Sequence, residues 1–291
     1  MRVVFVLNEY ALHNHVLTDF VRARPNDHVA VVKVPLVLKG RDRLDTAQRV
    51  LPKLSRRFAF SKALEFAVLL ALVFVPKLLS RGAVFLRLRK IARRHGLPFH
   101  KTDNIMAPES LEFLRAQDPD IVITLFHQII KQPLLDIPRA GVINIHPGLI
   151  PDFRGMQPYF WELSEGHGRA GPTLHLIEDE GIDTGGLLTR ASYSVEPGMS
   201  VQLNYYLTML VAARVLPECA ERVANGEWTG AAQDTGAGAY YRWPDSKAFD
   251  NLMARGHRLF SWRGLWSILS GNRDRIADDA VTDLSADRVS P

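Results

Sequence analysis

Val142-Ile143-Asn144-Ile145-His146-Pro147-Gly148 is the stretch from which the rest of the chain is read. Val142, Ile143 and Ile145 are strand formers, and Pro147-Gly148 cannot continue a strand. Asn144 and His146 therefore stand at i and i+2 on one face of a strand end. An α/β sheet places its site at such ends, so two polar groups project together where chemistry is expected. Further on, Glu180-Gly181-Ile182-Asp183-Thr184-Gly185-Gly186 sets a carboxylate in a glycine-rich loop able to fold back over that strand end. Asn144, His146 and Asp183 would then converge on one point.

Outward from this strand, strand and helix patterns alternate. Residues 120–125 read as a buried parallel strand, and residues 2–7 and 28–34 as strands separated by a helical stretch over 13–22. Residues 97–100 read as a short strand and 108–116 as a helix with Leu111 and Leu114 inward. After the motif, residues 157–165 read as a helix with Pro158 near its start, then 172–178 and 186–195 as strands. A long helix over 200–225 follows, with Ser200 near its N-cap and Leu203, Leu207, Leu210, Val211 and Val215 as its core stripe. This order predicts a doubly wound, Rossmann-like, mostly parallel α/β sheet. The loop Asn8-Glu9-Tyr10-Ala11-Leu12-His13-Asn14 contains no glycine, so it is not a dinucleotide fingerprint and NAD is not expected.

A chain of 291 residues with 47% hydrophobic and 23% charged content has the composition of a soluble globular protein. The single cysteine, Cys219, excludes an internal disulfide and fits a reducing compartment, and the lack of a cysteine cluster argues against structural zinc. The expected location is cytoplasmic. Residues 1–9 are too short, and lack the cleavage site, for a signal peptide and read as the first strand. The formal charge of +5 is uneven: residues 39–94 hold fifteen Lys or Arg against Asp42, Asp45 and Glu65. Such a basic insertion suggests an anionic partner, whether a nucleotide diphosphate, a tRNA or an anionic membrane surface.

Within residues 36–95, the run Phe66-Ala67-Val68-Leu69-Leu70-Ala71-Leu72-Val73-Phe74-Val75 is apolar all round. Its length falls well short of the roughly 20 residues needed to span a bilayer. It reads as a buried helix or a helix packing on a partner subunit, as in a homodimer, or as an interfacial membrane helix flanked by Arg56, Arg57, Lys77 and Arg81. Phe260-Ser261-Trp262-Arg263-Gly264-Leu265-Trp266-Ser267-Ile268-Leu269 is also aromatic and basic, so the two elements would suit one peripheral membrane contact. Residues 1–225 are expected to form one catalytic domain with 36–95 inserted, 226–275 an extension, and 276–291 a tail without structure.

Asn144-x-His146-Pro147, then Leu149-Ile150-Pro151-Asp152-Phe153-Arg154-Gly155, then Gly181-Ile182-Asp183-Thr184-Gly185 resembles the folate-dependent formyltransferase family. The resemblance is good over residues 97–215 and weak in the first strand. It implies formyl transfer from N10-formyltetrahydrofolate to a primary amine, without a metal. Asn144, His146 and Asp183 take the catalytic positions. Phe126, Gln128, Ile129 and Ile130, with Gly181 and Ile182, lie where the family grips folate. Tyr10, Asn14 and Arg154 are candidate acceptor contacts on nearby loops. His127 would line the folate loop or the mouth and His175 a strand, and neither has the spacing of a metal ligand.

The chemistry requires such a set. Attack of an amine on a formyl carbon creates an oxyanion that needs donors. Asn144 offers an amide N–H, His146 a charged one, and Asp183 a group that keeps His146 oriented and cationic and takes the amine proton. The layout resembles that of the amino-sugar N-formyltransferases, which implies a nucleotide-linked amino sugar as acceptor rather than a nucleic acid. A methionyl-tRNA formyltransferase-like enzyme, a formyltransferase of a lipid-linked amine and a non-catalytic folate-binding module are the alternatives.

Overall fold

The computed structural model describes residues 1–8, 10, 12–35, 60, 63, 64, 67, 88–234, 236–270 and 282–285. Most of the 36–95 insertion, including nine residues of the apolar run 66–75, lies outside the described residues.

Five parallel strands form the heart of the sheet: β1 (Arg2–Asn8), β2 (His28–Val34), β3 (Phe99–Lys101), β4 (Ile121–Leu125) and β5 (Gly141–His146), in the order β3-β2-β1-β4-β5. Beyond β5 the sheet turns antiparallel through β8 (Thr173–Ile177), β9 (Leu187–Ser194) and β11 (Thr282–Ser285). The short β7 (Arg169–Ala170) pairs with β9 outside this path. The expected doubly wound α/β sheet is the one observed. Its order reverses between β1 and β4, where chain connections diverge and leave a crevice at the strand ends.

Both faces of the parallel strands are covered, which is why they read as continuous apolar runs. Phe5, Leu7, Ile123 and Ile143 face α1 (His13–Ala23) and α6 (Val201–Ala224), while Val4, Val6, Val122 and Val142 face the side of α3 (Pro108–Gln117) and α4 (Gln132–Leu135). Ser200 Oγ caps α6 by accepting from the Leu203 amide at 3.2 Å, as its position before the helix predicted. The helix is buried over more than one stripe: Tyr206, Met209 and Ala212 join Leu207 and Val211 in the core, while Leu203, Leu210 and Val215 are only partly covered. Further helices among the described residues are α2 (Leu88–His95), α5 (Pro158–Ser164), α7 (Ser246–Ala254) and α8 (Trp262–Ser270).

The tail differs from expectation. Thr282–Ser285 pairs antiparallel with β9, Thr282 opposite Ser192 and Ser285 opposite Thr189. An edge strand needs a partner's free amides and carbonyls more than periodicity of its own, so four polar-rich residues suffice where composition suggested none.

A second, two-stranded sheet pairs β6 (Phe153–Gly155) in parallel with β10 (Ala239–Tyr241). Gly155 has φ +95°, and a Cβ there would lie 2.2 Å from the Tyr241 carbonyl oxygen. Gly155→Ala is therefore expected to destabilise the protein by about 1–3 kcal/mol, read as a lowered denaturant midpoint.

Candidate active site

A cleft of about 270 Å³ opens at the carboxyl ends of β4 and β5, beside the start of α1. Strand register builds its floor. Asn144 on β5 lies opposite Thr124 on β4 and opposite His175 on β8, so three side chains form one row across the sheet. Thr124 Oγ1 donates to Asn144 Oδ1 at 3.0 Å, which turns the Asn144 amide nitrogen toward His175 Nε2, also at 3.0 Å. His175 Nδ1 lies 2.8 Å from the Leu176 carbonyl, which only accepts. That contact places a proton on Nδ1 and leaves Nε2 to accept from the Asn144 amide. The amide is thereby fixed in orientation, and its second hydrogen remains for the cleft that Asn144 lines.

His146, two residues on, is 3% exposed. Its Nε2 donates to the Phe153 carbonyl at 2.7 Å and its Nδ1 faces Asp183 Oδ1 at 3.4 Å. A carbonyl on one nitrogen and a carboxylate on the other both favour the doubly protonated ring. Burial alone would lower the His146 pKa, but the Asp183 charge, its hydrogen bond and the Phe153 carbonyl hold it above the ordinary value of 6.5. For Asp183, burial acts upward, and the His146 charge with the hydrogen bond from His146 outweighs it, holding the carboxyl well below the usual range. The result is an ion pair at the cleft floor. Expectation had His146 giving an N–H to the same oxygen as Asn144, whereas here both its nitrogens face protein acceptors.

The short strand β6 clamps the pair. Phe153 and Gly155, at i and i+2, point the same way, so the Phe153 carbonyl takes His146 while the Gly155 amide donates to Asp183 Oδ2 at 2.9 Å. Asp183 itself has φ +55°, a left-handed conformation that non-glycine residues rarely adopt. Around it, Asp179 Oδ1 accepts from the Gly181 amide and Glu178 Oε2 from the Gly186 amide, both at 2.7 Å. The Gln233 side chain donates to the Gly185 carbonyl. These bonds set the carboxylate over the strand end. The expected convergence of Asn144, His146 and Asp183 is the arrangement found.

Phe126, Gln128, Ile129, Ile130, Gly181 and Ile182 all line the cleft. Gln128 turns its side chain away, accepting from the Ile105 amide and donating to the Asp103 carbonyl, both at 3.1 Å. Its side chain therefore braces the loop against residues 103–105. Ile129 and Ile182 are 57% and 49% exposed at the mouth, an apolar rim suited to a flat ring.

The acceptor contacts are placed differently. Asn14 was expected on a loop, but α1 begins at His13 and turns Asn14 into the protein at 3% exposure, away from the cleft lining. Arg154 lies between Phe153 and Gly155 on β6, so strand alternation sends it to the opposite side, where it reaches the Ala237 carbonyl. Tyr10 does not line the cleft but packs its ring on His13 and Tyr205, at 5.4 and 5.5 Å between centroids. In their place His13, Gln157, Tyr159 and Tyr205 line this end. His13 bonds the Tyr205 hydroxyl, and burial, helped by nearby His127, pushes its pKa down to about 3, so it is neutral. The rings of Tyr159 and Tyr205 lie 4.2 Å apart. Thr124, His13, Tyr205 and the role of His175 carried no local signal; only strand register and helix packing bring them in. Among the described residues no group of three His, Cys, Asp or Glu could hold a metal ion.

Residues 11–217 match the family described as formyl transferase. The chain belongs to the formyl transferase family. The methionyl-tRNA formyltransferase of Trichlorobacter lovleyi is 30% identical over 176 residues, 60% of this chain and 52% of that protein. The chain thus spans about half the length of the curated relatives it matches. Among solved structures, a sugar N-formyltransferase from Shewanella has TM-score 0.55 at 13% identity, covering 88% of each chain. The N-formyltransferase of Helicobacter canadensis, solved with folinic acid and dTDP-3-aminofucose, has TM-score 0.51 at 13% identity, over 88% of this chain and 80% of that one. At those identities the structural likeness speaks for the fold.

Proposed function

We propose that the protein transfers a formyl group from N10-formyltetrahydrofolate to a primary amine. The observation that carries this reading is the closed network of Thr124, Asn144 and His175 in one row, with the His146–Asp183 pair against it, at the floor of an apolar-rimmed cleft. The folate co-substrate supplies the activated formyl group. The loop of Phe126, Gln128, Ile129 and Ile130, with Gly181 and Ile182, would hold its pterin end against the cleft wall.

Each polar residue then has one task. Asn144 donates its remaining amide hydrogen to the oxyanion formed when the amine attacks. His146, held cationic by Asp183, stabilises that charge from behind, at short range in a poorly solvated site. Asp183 takes the amine proton directly or through water and passes it to N10, so that collapse of the oxyanion breaks the bond from the formyl carbon to N10 and releases tetrahydrofolate. His175 and Thr124 keep the Asn144 amide in its one useful orientation, so the donor needs no reorganisation as charge develops.

On the acceptor, the sequence layout suggested a nucleotide-linked amino sugar. Relatives matched at 30% and 37% identity are methionyl-tRNA formyltransferases, and this gives the aminoacyl-tRNA reading the stronger support. The nucleotide-sugar reading rests on fold neighbours at 13%. A neutral, tyrosine-lined pocket beside the site, built from His13, Tyr159 and Tyr205, suits an uncharged group next to the reacting amine, as a methionyl side chain provides.

The test is formation of free tetrahydrofolate from N10-formyltetrahydrofolate with methionyl-tRNA, with nucleotide-linked amino sugars, or with neither. Turnover that requires an acceptor and disappears in His146→Ala supports the proposal and names the acceptor class. Turnover without any acceptor would instead mark a hydrolase. Folate binding with no turnover on any amine would mark a binding module.

A further inference from the structure

Eight large apolar side chains stand exposed among the described residues, and three of them, Ile129, Ile182 and Tyr240, rim the cleft. Four of the other five fall into two helical stripes with no part in the site. The first is Phe60, Ala63, Leu64 and Ala67, all helical and all exposed, Phe60 at 72% and Leu64 at 44%. Their spacing of i, i+3, i+4 and i+7 is that of a core-facing stripe, here turned to solvent. The second is Trp262 and Trp266, one turn apart on α8 and 75% and 66% exposed. Burying such faces is the ordinary driving force for docking a helix, and apolar side chains grouped on one face, unlike single exposed ones, mark an interaction surface.

The second stripe is rigidly presented. Gly264 approaches the start of α6 so closely that a Cβ would lie 2.8 Å from Ser200 Oγ and 3.3 Å from Leu203 Cβ. Leu265 beside it is 5% exposed. One side of α8 is thus pressed on the domain, and the turn of the helix sends both indoles outward. Both stripes lie in basic sequence. Residues 39–94 carry fifteen Lys or Arg against three acids, and Arg255, Arg258, Arg263, Arg273 and Arg275 flank the tryptophans with Asp274 as the one acid from 255 to 275.

We propose that the protein lies on an anionic lipid surface, inserting the side chains of Phe60 and Leu64 and of Trp262 and Trp266 at the headgroup level. Positive charge and exposed rings alone would suit a nucleic acid equally, since bases stack on aromatic side chains, but nucleic acid offers no hydrocarbon for Ala63, Leu64 and Ala67. Indole rings prefer the membrane interface, where the ring is half buried and its N–H stays wet. Basic residues close in sequence to an apolar helical face complete the pattern of an interfacial helix. No described helix is long and apolar enough to cross a membrane, so the contact is one of lying on the surface. This inference is independent of the formyl transfer proposed above.

The experiment sediments the full chain with vesicles of phosphatidylcholine alone or mixed with phosphatidylserine. It uses wild type, Trp262→Ser/Trp266→Ser, and Phe60→Ser/Leu64→Ser, each checked for an unchanged thermal melt. Wild type is expected to pellet with the phosphatidylserine vesicles, to be released by salt, and to show a blue shift of tryptophan emission on binding. Each double substitution is expected to weaken that binding by about tenfold or more. Wild type remaining in the supernatant with both vesicles would overturn the proposal. So would equal pelleting of all three proteins, because charge alone would then account for it. A wild-type dimer that the same substitutions convert to monomer would also overturn it, in favour of a contact between copies of this chain.

Discussion

Asn144→Ala is expected to lower kcat by about 10²–10³-fold, the cost of removing one donor to a developing oxyanion. The loss falls on kcat, with little change in KM for N10-formyltetrahydrofolate, because the amide meets negative charge that exists only as the amine attacks. The fold should survive the change. Asn144 is half-buried at a strand end, and its backbone pairing within β5 does not depend on its side chain. Thr124 and His175 lose a partner, and both keep another, Thr124 the Ile143 carbonyl and His175 the Leu176 carbonyl. Steady-state kinetics on the purified variant check this; a kcat within threefold of wild type would remove Asn144 from the mechanism.

Asp183→Asn should act chiefly through the charge of His146. In the wild type the carboxylate holds that ring cationic against burial. Turnover that needs the imidazolium therefore falls as pH rises through the raised His146 pKa, above 6.5. The asparagine retains an acceptor for the Gly155 amide but lacks the charge, so burial dominates and the His146 pKa drops. The alkaline limb of the kcat profile moves to lower pH, and at neutral pH activity falls by about 10²–10⁴-fold because the acid–base group is also gone.

The same pair makes stability depend on pH. The His146 contribution is complete below its unfolded value near 6.5 and is lost as pH climbs through the raised folded value. The Asp183 contribution is complete above its unfolded value near 3.8 and is lost as pH falls through its depressed folded value. Both are present between those limits, so the wild type should exceed Asp183→Asn in denaturant midpoint by most in that window. An equal gap at pH 5 and pH 9 would show that the pair is not the ion pair described.

Much of this arrangement was legible in one dimension because it is local. Alternation and apolar runs marked β1, β2, β4, β5, β8, β9 and α6 within a few residues. Pro147-Gly148 marked the end of β5 where Asn144 and His146 project. The glycines around Asp183 marked a loop able to take an unusual backbone, and Asp183 does stand at φ +55°. Where expectation failed, the deciding contact joined segments far apart. Asn14 was lost to α1 because helix start and facing depend on what the helix packs against. Arg154 was lost to strand alternation once β6 found β10 as its partner. The short edge strand β11 has no pattern of its own and exists through β9.

The sequence by itself determined the sheet class, the strand end that bears the site, and the asparagine, histidine and aspartate that meet there, because backbone period and turn chemistry are properties of neighbouring residues. Only the tertiary structure decided the rest. Register across β4, β5 and β8 made Thr124 and His175 the guides of Asn144. The β6 strand made Phe153 and Gly155 the two hands that hold His146 and Asp183 apart by a hydrogen-bonding distance. Their mutual charge and hydrogen bonds then hold the histidine and carboxylate as a charged pair against burial, and the strength of that coupling depends on the dielectric around it, which no linear stretch of chain contains.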